Sequence, residues 1–178
     1  SIKVLNRNDV VVPLSGGIDS EAIAQACLKH NVTFTSVIMR YIYDGNIKNE
    51  FDYKYAVKFC NENKIKYTFL DLDCNWFFEE SEKFLTYAAN YFTKSPQLSC
   101  HLWMLDQIKG FPILGGDPFK YNKETKQFSV QPAMFYCYDY YFAKTKKEGI
   151  ARMICYNTDV VYSTSKIQNE IYYSPVIY

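Results

Sequence analysis

One stretch near the start of the chain constrains the fold more than any other. Residues 10–14 are an apolar run rich in valine that stops at a Ser-Gly-Gly turn, and an alanine-rich periodic segment begins directly after the turn. This order predicts a buried strand, a glycine loop and the start of a helix. Such a junction presents several backbone N–H groups and the positive end of a helix dipole to an anion. The sequence therefore predicts an anion-binding loop at residues 15–20.

Each residue type in this loop suits a bound phosphate. Gly16 and Gly17 allow positive φ angles and let a phosphate approach without a Cβ in the way. Ser15 and Ser20 add hydroxyl donors, and the carboxylate of Asp19 suits a magnesium ion. A plain Ser-Gly-Gly turn is the alternative interpretation. The candidate nucleotide-binding residues are Ser15, Gly16, Gly17, Ile18, Asp19 and Ser20.

The hexapeptide at residues 15–20 resembles the Ser-Gly-Gly-x-Asp-Ser signature of the PP-loop ATP pyrophosphatases, and all six positions match. That family includes NAD synthetase, GMP synthetase, asparagine synthetase, 7-cyano-7-deazaguanine synthase and several tRNA-modifying enzymes. No Gly-Lys-Ser/Thr follows the glycines, so the loop is not a Walker A motif. The resemblance implies ATP and Mg²⁺ as cofactors, cleavage of ATP between its α- and β-phosphates, and adenylation of a substrate oxygen, with Asp19 as a catalytic residue.

The order of elements predicts an α/β fold. A helix to about residue 30, a strand at 32–43, a helix at 50–63 and a strand at 66–73 follow the first strand. This β-α-β-α-β order implies parallel strands with right-handed crossovers in one open sheet with flanking helices, the adenine nucleotide alpha hydrolase-like arrangement that the resemblance also implies. We expect residues 1–178 to form a single domain. The predicted core positions of the two helices are Ala22, Ile23, Ala26, Cys27, Phe51, Tyr55, Phe59 and Cys60.

Two further stretches are assigned to the nucleotide. In the resemblance, the end of the second strand supplies backbone groups to the adenine edge, which places Ile38, Met39 and Arg40 there; core filling is the alternative for Met39. An apolar run from residue 111 ends in Gly-Gly-Asp, which predicts a second strand aimed at a glycine loop. Gly115 and Gly116 are then nucleotide contacts and Asp117 a second metal ligand beside Asp19. A reverse turn with an Asx cap is the alternative.

The rest of the chain is mostly helical in pattern. We expect one or two helices at 76–93, a helix at 97–108 that buries Leu98, Leu102 and Leu105, a hairpin at 120–130 and an aromatic helix at 133–148. His101 lies on an apolar helix and is interpreted as a packing residue. The cluster at 163–166 is a candidate phosphate contact in which Lys166 is the candidate catalytic cation; a solvated surface cluster is the alternative.

Composition narrows the class of protein. Charged residues make up 22% of the chain and the net charge is +1, so electrostatics do not imply nucleic acid, although a tRNA substrate stays open. No apolar run approaches the roughly 20 residues that span a bilayer, and no two of the six cysteines form a C-x-x-C. We therefore expect a cytoplasmic protein with reduced thiols. The apolar end at 174–178 leaves open that the chain is a fragment.

Elimination within the family favours amide-forming chemistry. The chain lacks the paired cysteines of sulfur-inserting tRNA enzymes, the four-cysteine zinc cluster of the deazaguanine synthase and the catalytic cysteine motif of sulfonucleotide reductases. The prediction is an asparagine-synthase-like, AMP-forming ligase that adenylates a small-molecule acceptor, with ammonia as a candidate second substrate. The alternative is a non-catalytic nucleotide-binding or structural module, alone, as a homo-oligomer or within a larger assembly.

Overall fold

The structure is a computed structural model that describes residues 7–115, 119–122, 124–125, 127–130 and 136–151, with the side chains of 119–121 and 127–130 left aside. The predictions at Gly116, Asp117 and Lys166 lie outside these residues. The strands are β1 (Val10–Pro13), β2 (Thr35–Tyr43), β3 (Asn46–Ile47), β4 (Tyr67–Asp73), β5 (Phe111–Pro112), β6 (Phe119–Asn122) and β7 (Gln127–Val130). The helices are α1 (Ile18–Lys29), α2 (Glu50–Glu62), a π-helical turn (Trp76–Glu80), α3 (Lys83–Tyr91), α4 (Pro96–Gln107) and α5 (Tyr136–Thr145).

The main sheet is parallel, as predicted from the order of elements. β2 pairs with β1 and with β4, and β1 pairs with β5, all in parallel. A parallel bridge between Ile113 and Ile150 continues the pairing beyond β5, and β3 folds back antiparallel on the far end of β2. β6 and β7 form a separate antiparallel hairpin, which confirms the hairpin predicted at 120–130. Since the carboxyl ends of β1, β2 and β5 share one edge, the loops that follow them meet there.

Side chains of the central strands alternate between two apolar clusters. Val10 and Val12 of β1 enter a cluster with α1 and α2, whereas Val11 between them enters a cluster with α4 and α5. Ile38 and Met39 of β2 divide in the same way. This alternation is the period of two that a strand covered on both faces requires. The sheet is therefore the shared wall of two helical layers.

Two predicted helix faces were partly wrong. In α1, Ile23 and Cys27 are buried as expected, but Ala22 is exposed and Ala24 is buried in its place. In α2 the buried positions are Ala56, Phe59 and Cys60, whereas Phe51 and Tyr55 are 72% and 52% exposed. The two exposed rings pack edge to face on each other at 4.8 Å. The sequence pattern misled because large aromatic side chains outweigh a small alanine in any hydrophobicity count.

The helices at 76–91 and 96–107 agree with the pattern read from the sequence. Leu98, Leu102 and Leu105 are buried as predicted. Ser95 accepts a hydrogen bond from the N–H of Leu98 at the start of α4, and Pro96 occupies its first turn. Within the described residues, no helix combines the length and the apolar character that crossing a membrane requires.

Candidate functional site

Two serine hydroxyls hold the loop after β1 in a closed turn. Ser20 Oγ accepts from the Ser15 N–H at 3.2 Å and donates to the Gly17 carbonyl at 3.0 Å. The Ser15 hydroxyl lies 3.2 Å from Ser20 Oγ and accepts from the Gly17 N–H at 3.4 Å. Both hydroxyls therefore form their hydrogen bonds within the loop. These bonds engage the Ser15 and Gly17 amides within the turn and fix the backbone of the loop, which preorganises it.

The start of α1 is open to an anion. Gly17 is the N-cap residue, with extended φ and ψ of −91° and 156°, and no side chain caps the helix. The first helical hydrogen bond runs from the Glu21 N–H to the Gly17 carbonyl at 3.2 Å. The N–H groups that precede it in the first turn have no partner within the helix. They supply donors, and the helix dipole supplies a favourable potential, for a phosphate at this end.

Gly16 brings the loop against the start of α2. Its φ is +81°, and a Cβ at this position would overlap the backbone carbonyl of Asp52. Both the backbone angle and the space therefore require glycine. The contact with Asp52 could not be read from the sequence, because nothing local in the chain reports the approach of α2.

Asp19 receives the loop that follows β5. A Cβ placed on Gly115 would lie 3.6 Å from Asp19 Cβ and 3.5 Å from Ile23 Cδ1. Gly115, the described end of the second glycine loop, is thus close to Asp19. Asp19 is half-buried, and burial raises the pKa of its carboxyl above the ordinary value. A carboxylate that has lost water in this way is favourably placed to receive a cation.

The donor set fits a magnesium ion held partly by substrate. Among the described residues no group of three or more His, Cys, Asp or Glu side chains forms a metal site. Mg²⁺ usually takes one or two protein carboxylates together with waters and substrate phosphates. Asp19, which lies in the predicted phosphate loop, meets that requirement, and Asp117 stays a prediction because it lies outside the described residues.

At the end of β2, the side chain of Asn49 forms hydrogen bonds with the strand backbone, a role that the sequence pattern did not predict. Asn49 Nδ2 donates to the Met39 carbonyl at 2.9 Å, and Asn49 Oδ1 accepts from the Tyr41 N–H at 2.9 Å. Leu14 donates its N–H to the Val37 carbonyl, and alternate residues of a strand point to one edge. The Asn49 carboxamide therefore continues the β1–β2 ladder where β1 has ended.

The position of Asn49 in the sequence carries a partial signal of its role. Asparagine directly before a helix predicts an N-cap, and Asn49 is the N-cap residue of α2. Its side chain makes no capping hydrogen bond, because it is turned toward β2.

The three residues predicted at the adenine edge have other contacts in the structure. Ile38 is fully buried, and the Met39 side chain packs in the second cluster. Arg40 forms a bidentate pair with Asp71, with both hydrogen bonds at 2.6 Å, and its guanidinium lies 4.2 Å from the centre of the Phe69 ring. The pair raises the pKa of the Arg40 guanidinium. Arg40 therefore holds the end of β4 to the end of β2, beside the loop.

A cavity of about 470 Å³ opens beside the loop. It is lined by Gly16, Ile18, Glu21, Ala22 and Gln25. These residues form the loop and the outer face of α1, so the cavity adjoins the predicted phosphate site from the side away from Gly115. The cavity is largely open to solvent.

His101 is a packing residue, as its apolar surroundings in the sequence predicted. Its Nδ1 lies 2.5 Å from the hydroxyl of Tyr138, and the two rings stack between α4 and α5. Burial lowers the pKa of the imidazole to about 4. The ring is therefore neutral at physiological pH and joins two helices.

No protein-family model and no curated protein sequence matches the chain, whereas solved structures share its fold. One, described as a predicted subunit of tRNA methyltransferase from Methanocaldococcus jannaschii, superposes with a TM-score of 0.52 at 16% identity, covering 90% of this chain and 75% of that one. An NH3-dependent NAD synthetase from Campylobacter jejuni gives a TM-score of 0.43 at 22% identity, over 65% of this chain and 51% of that one. An NMN synthetase from Francisella tularensis gives 0.43 at 19%, over 65% and 48%.

The chain spans about half the length of these two synthetases. The architecture is the open, mostly parallel sheet with flanking helices that the resemblance implied, and it is shared with the tRNA methyltransferase subunit. The α/β fold class expected from the order of elements is thus confirmed.

Proposed function

We propose that this chain binds ATP at residues 15–20 and uses it to adenylate a carboxyl or carbonyl oxygen of a small molecule, releasing pyrophosphate. The observation that carries the proposal is the proximity of Gly115, in the second predicted glycine loop, to Asp19, since a Cβ placed on Gly115 would lie 3.6 Å from Asp19 Cβ. A loop built only as a turn requires no second glycine segment beside its carboxylate. The AMP-forming course of the reaction comes from the motif resemblance.

The roles follow from the chemistry of each group. The uncapped amides of α1 and the loop backbone bind the phosphates that leave as pyrophosphate. Asp19, with Asp117 as the proposed second ligand, would hold Mg²⁺, which supplies positive charge against the leaving group. Lys166 is proposed as a further cation on the phosphates. The reaction requires no protein nucleophile, because the acceptor oxygen attacks the α-phosphorus and the bond to the β-phosphate oxygen breaks.

The acceptor is proposed to bind in the cavity beside Gly16 and Ile18. Glu21 and Gln25 supply the polar groups of its wall, and Ile18, which is 52% exposed, supplies apolar surface. A small polar acceptor fits this mixture. Ammonia is the proposed nucleophile that displaces AMP and leaves an amide.

Asp19→Asn tests the assignment. The chain is incubated with α-labelled ATP, Mg²⁺, ammonia and a pool of small carboxylates, and AMP and pyrophosphate are measured. We expect AMP formation from the parent chain and its loss, by about a hundredfold or more, in the variant, because the amide cannot hold the cation. Glu62→Gln, an exposed acid at the opposite end of α2 from the contact with Gly16, is the matched control and should keep the parent rate. ADP in place of AMP, or equal rates in the parent and Asp19→Asn, would reject the proposal.

A non-catalytic nucleotide-binding module is the second candidate, and one observation favours it. The Met39 carbonyl, at one of the three positions where the resemblance places the nucleobase edge, is already bonded to Asn49, as is the Tyr41 N–H two residues further on. A base that uses these groups must first displace the carboxamide. ATP binding without turnover against every acceptor would support this candidate over the ligase.

A further inference from the structure

An exposed aromatic surface joins α3 and α5. We call it the aromatic platform and define it as Tyr91, Phe92, Tyr140 and Lys144. Phe92 is 81% exposed and Tyr140 is 42% exposed, although the two rings lie only 5.3 Å apart between centres. Tyr91 continues the row, 6.3 Å from Tyr140. Rings that pack on each other yet stay open to solvent offer free faces to a flat partner.

The backbone of Phe92 is a second unusual feature. Phe92 ends α3 with φ and ψ of 54° and 35°, in the left-handed region. Glycine and asparagine are the residues that usually occupy this position, because a bulky side chain is strained there. The strain is not offset by burial, since the ring projects into solvent. Folding alone therefore gives no reason for a phenylalanine here.

One lysine belongs to the platform, and two others are close to it in sequence. Lys144 Nζ lies 5.2 Å from the centre of the Tyr91 ring and 5.8 Å from that of Tyr140, and it donates to the Asn90 carbonyl at 3.2 Å. Lys94 and Lys146 are exposed close to it in sequence. Among the ion pairs of the described residues, none involves Lys94, Lys144 or Lys146.

The nearby acids are engaged elsewhere. Asp106 accepts hydrogen bonds from the hydroxyls of Tyr87 and Tyr141, and Glu148 pairs with Arg7 at 2.5 Å. Residues 83–94 contain two lysines and no acid. Lysines therefore outnumber acids in this segment of a chain whose net charge is only +1.

We propose that the aromatic platform binds single-stranded nucleic acid. Unpaired bases would stack on Phe92 and Tyr140, and the lysines would neutralise the adjoining phosphates, which is how stacking surfaces hold single strands without reading their sequence. A duplex hides its base faces and would gain only the phosphate contacts. This activity goes beyond the proposed ATP chemistry, and it needs neither ATP nor the loop at residues 15–20.

The test measures binding of the full chain to a fluorescein-labelled oligouridine of twelve nucleotides by anisotropy, at low salt and without ATP. Phe92→Asn removes the ring and supplies a residue that tolerates the left-handed backbone, so the fold is kept. We expect it to raise Kd about tenfold. Phe92→Tyr keeps a ring and should bind like the parent. Lys144→Gln should reduce the slope of log affinity against log salt concentration by about 0.7.

The chain offers matched controls on α2. Phe51 and Tyr55 form an equally exposed aromatic pair, but acidic residues flank it, and Lys54 is ion-paired with Glu50 at 2.9 Å. Phe51→Ala and Lys54→Gln should leave the affinity unchanged. The proposal is overturned if the oligouridine does not bind, if Phe51→Ala weakens binding as much as Phe92→Asn, or if a duplex of equal length binds as tightly. It is also overturned if sedimentation shows a dimer that Phe92→Asn converts to a monomer, and the parent chain does not bind the oligouridine.

Discussion

Gly16 is the residue in the described loop that the geometry constrains most. Its positive φ is one requirement for glycine, and the adjoining Asp52 carbonyl is an independent second one. Gly17 shares neither constraint, since its φ is −91° and a Cβ there would have Ser15 Oγ at 3.4 Å as its nearest neighbour. The two glycines of the motif therefore serve different purposes. Gly16 lets α2 approach, whereas Gly17 leaves the start of α1 uncovered.

Gly16→Ala and Gly17→Ala should consequently differ in stability. For Gly16→Ala we expect the free energy of unfolding to fall by about 2 kcal/mol or more, because the Cβ must displace the start of α2 and the backbone angle is strained. Gly17→Ala should change it by less than about 1 kcal/mol. Urea unfolding of both variants measures the difference. Equal losses would show that Gly16 does not hold the close approach described here.

At the scale of elements, the pair His101–Tyr138 makes the packing of α4 on α5 sensitive to pH. The imidazole pKa is about 4 in the folded chain against 6.5 for the free side chain. Above pH 6.5 the imidazole is neutral in both the folded and the unfolded chain, so its titration does not change the free energy of unfolding. Between pH 6.5 and 4 only the unfolded chain takes up the proton, so the free energy of unfolding should fall by up to about 3 kcal/mol, and no further below pH 4.

The chain provides its own control, because His30 and His101 are its two histidines and His30 is exposed. Stability measured by urea from pH 7.5 to 4 should fall less steeply in His101→Gln than in the parent, whereas His30→Gln should follow the parent curve. Carboxylates titrate in all three proteins, so the difference between curves isolates the imidazole. Parallel curves for the parent and His101→Gln would contradict the buried, neutral histidine.

Elements whose sequence pattern is local were predictable. β1, the start of α1 and β2 are marked by β-branched runs and by glycine, and the structure places them within a few residues of the predicted bounds. The buried face of α2 was not predictable in this way, since Ala56 faces the sheet while Phe51 does not. Asn49 was missed for a similar reason. Both of its hydrogen bonds are made to β2, and the β2–β3 hairpin brings Asn49 back to the end of that strand.

At the scale of the whole molecule, the sheet couples the two apolar clusters. Each central strand contributes alternate residues to both clusters. Loss of packing in either helical layer would therefore expose one face of strands on which the other layer also packs. Contacts remote in sequence reinforce the coupling, since Arg7, just before β1, pairs with Glu148 after α5 and lies 4.5 Å above the Phe111 ring. The exposed ion pair itself contributes little to stability, because solvent screens it. Cooperativity should therefore come from the shared sheet.

The chain carries separate probes of the two layers. Its two tryptophans, Trp76 and Trp103, both pack against the cluster with α4 and α5, whereas Cys27 and Cys60 are buried in the cluster with α1 and α2. Tryptophan fluorescence and thiol labelling at Cys27 and Cys60, resolved by peptide mass, should give the same urea midpoint, because a domain with one shared sheet unfolds in a single step. A fluorescence midpoint clearly below the labelling midpoint would mean that the helical layer of α4 and α5 melts first. The sheet would then hold α1, α2 and the loop at residues 15–20 without it, and the two layers would be independent units.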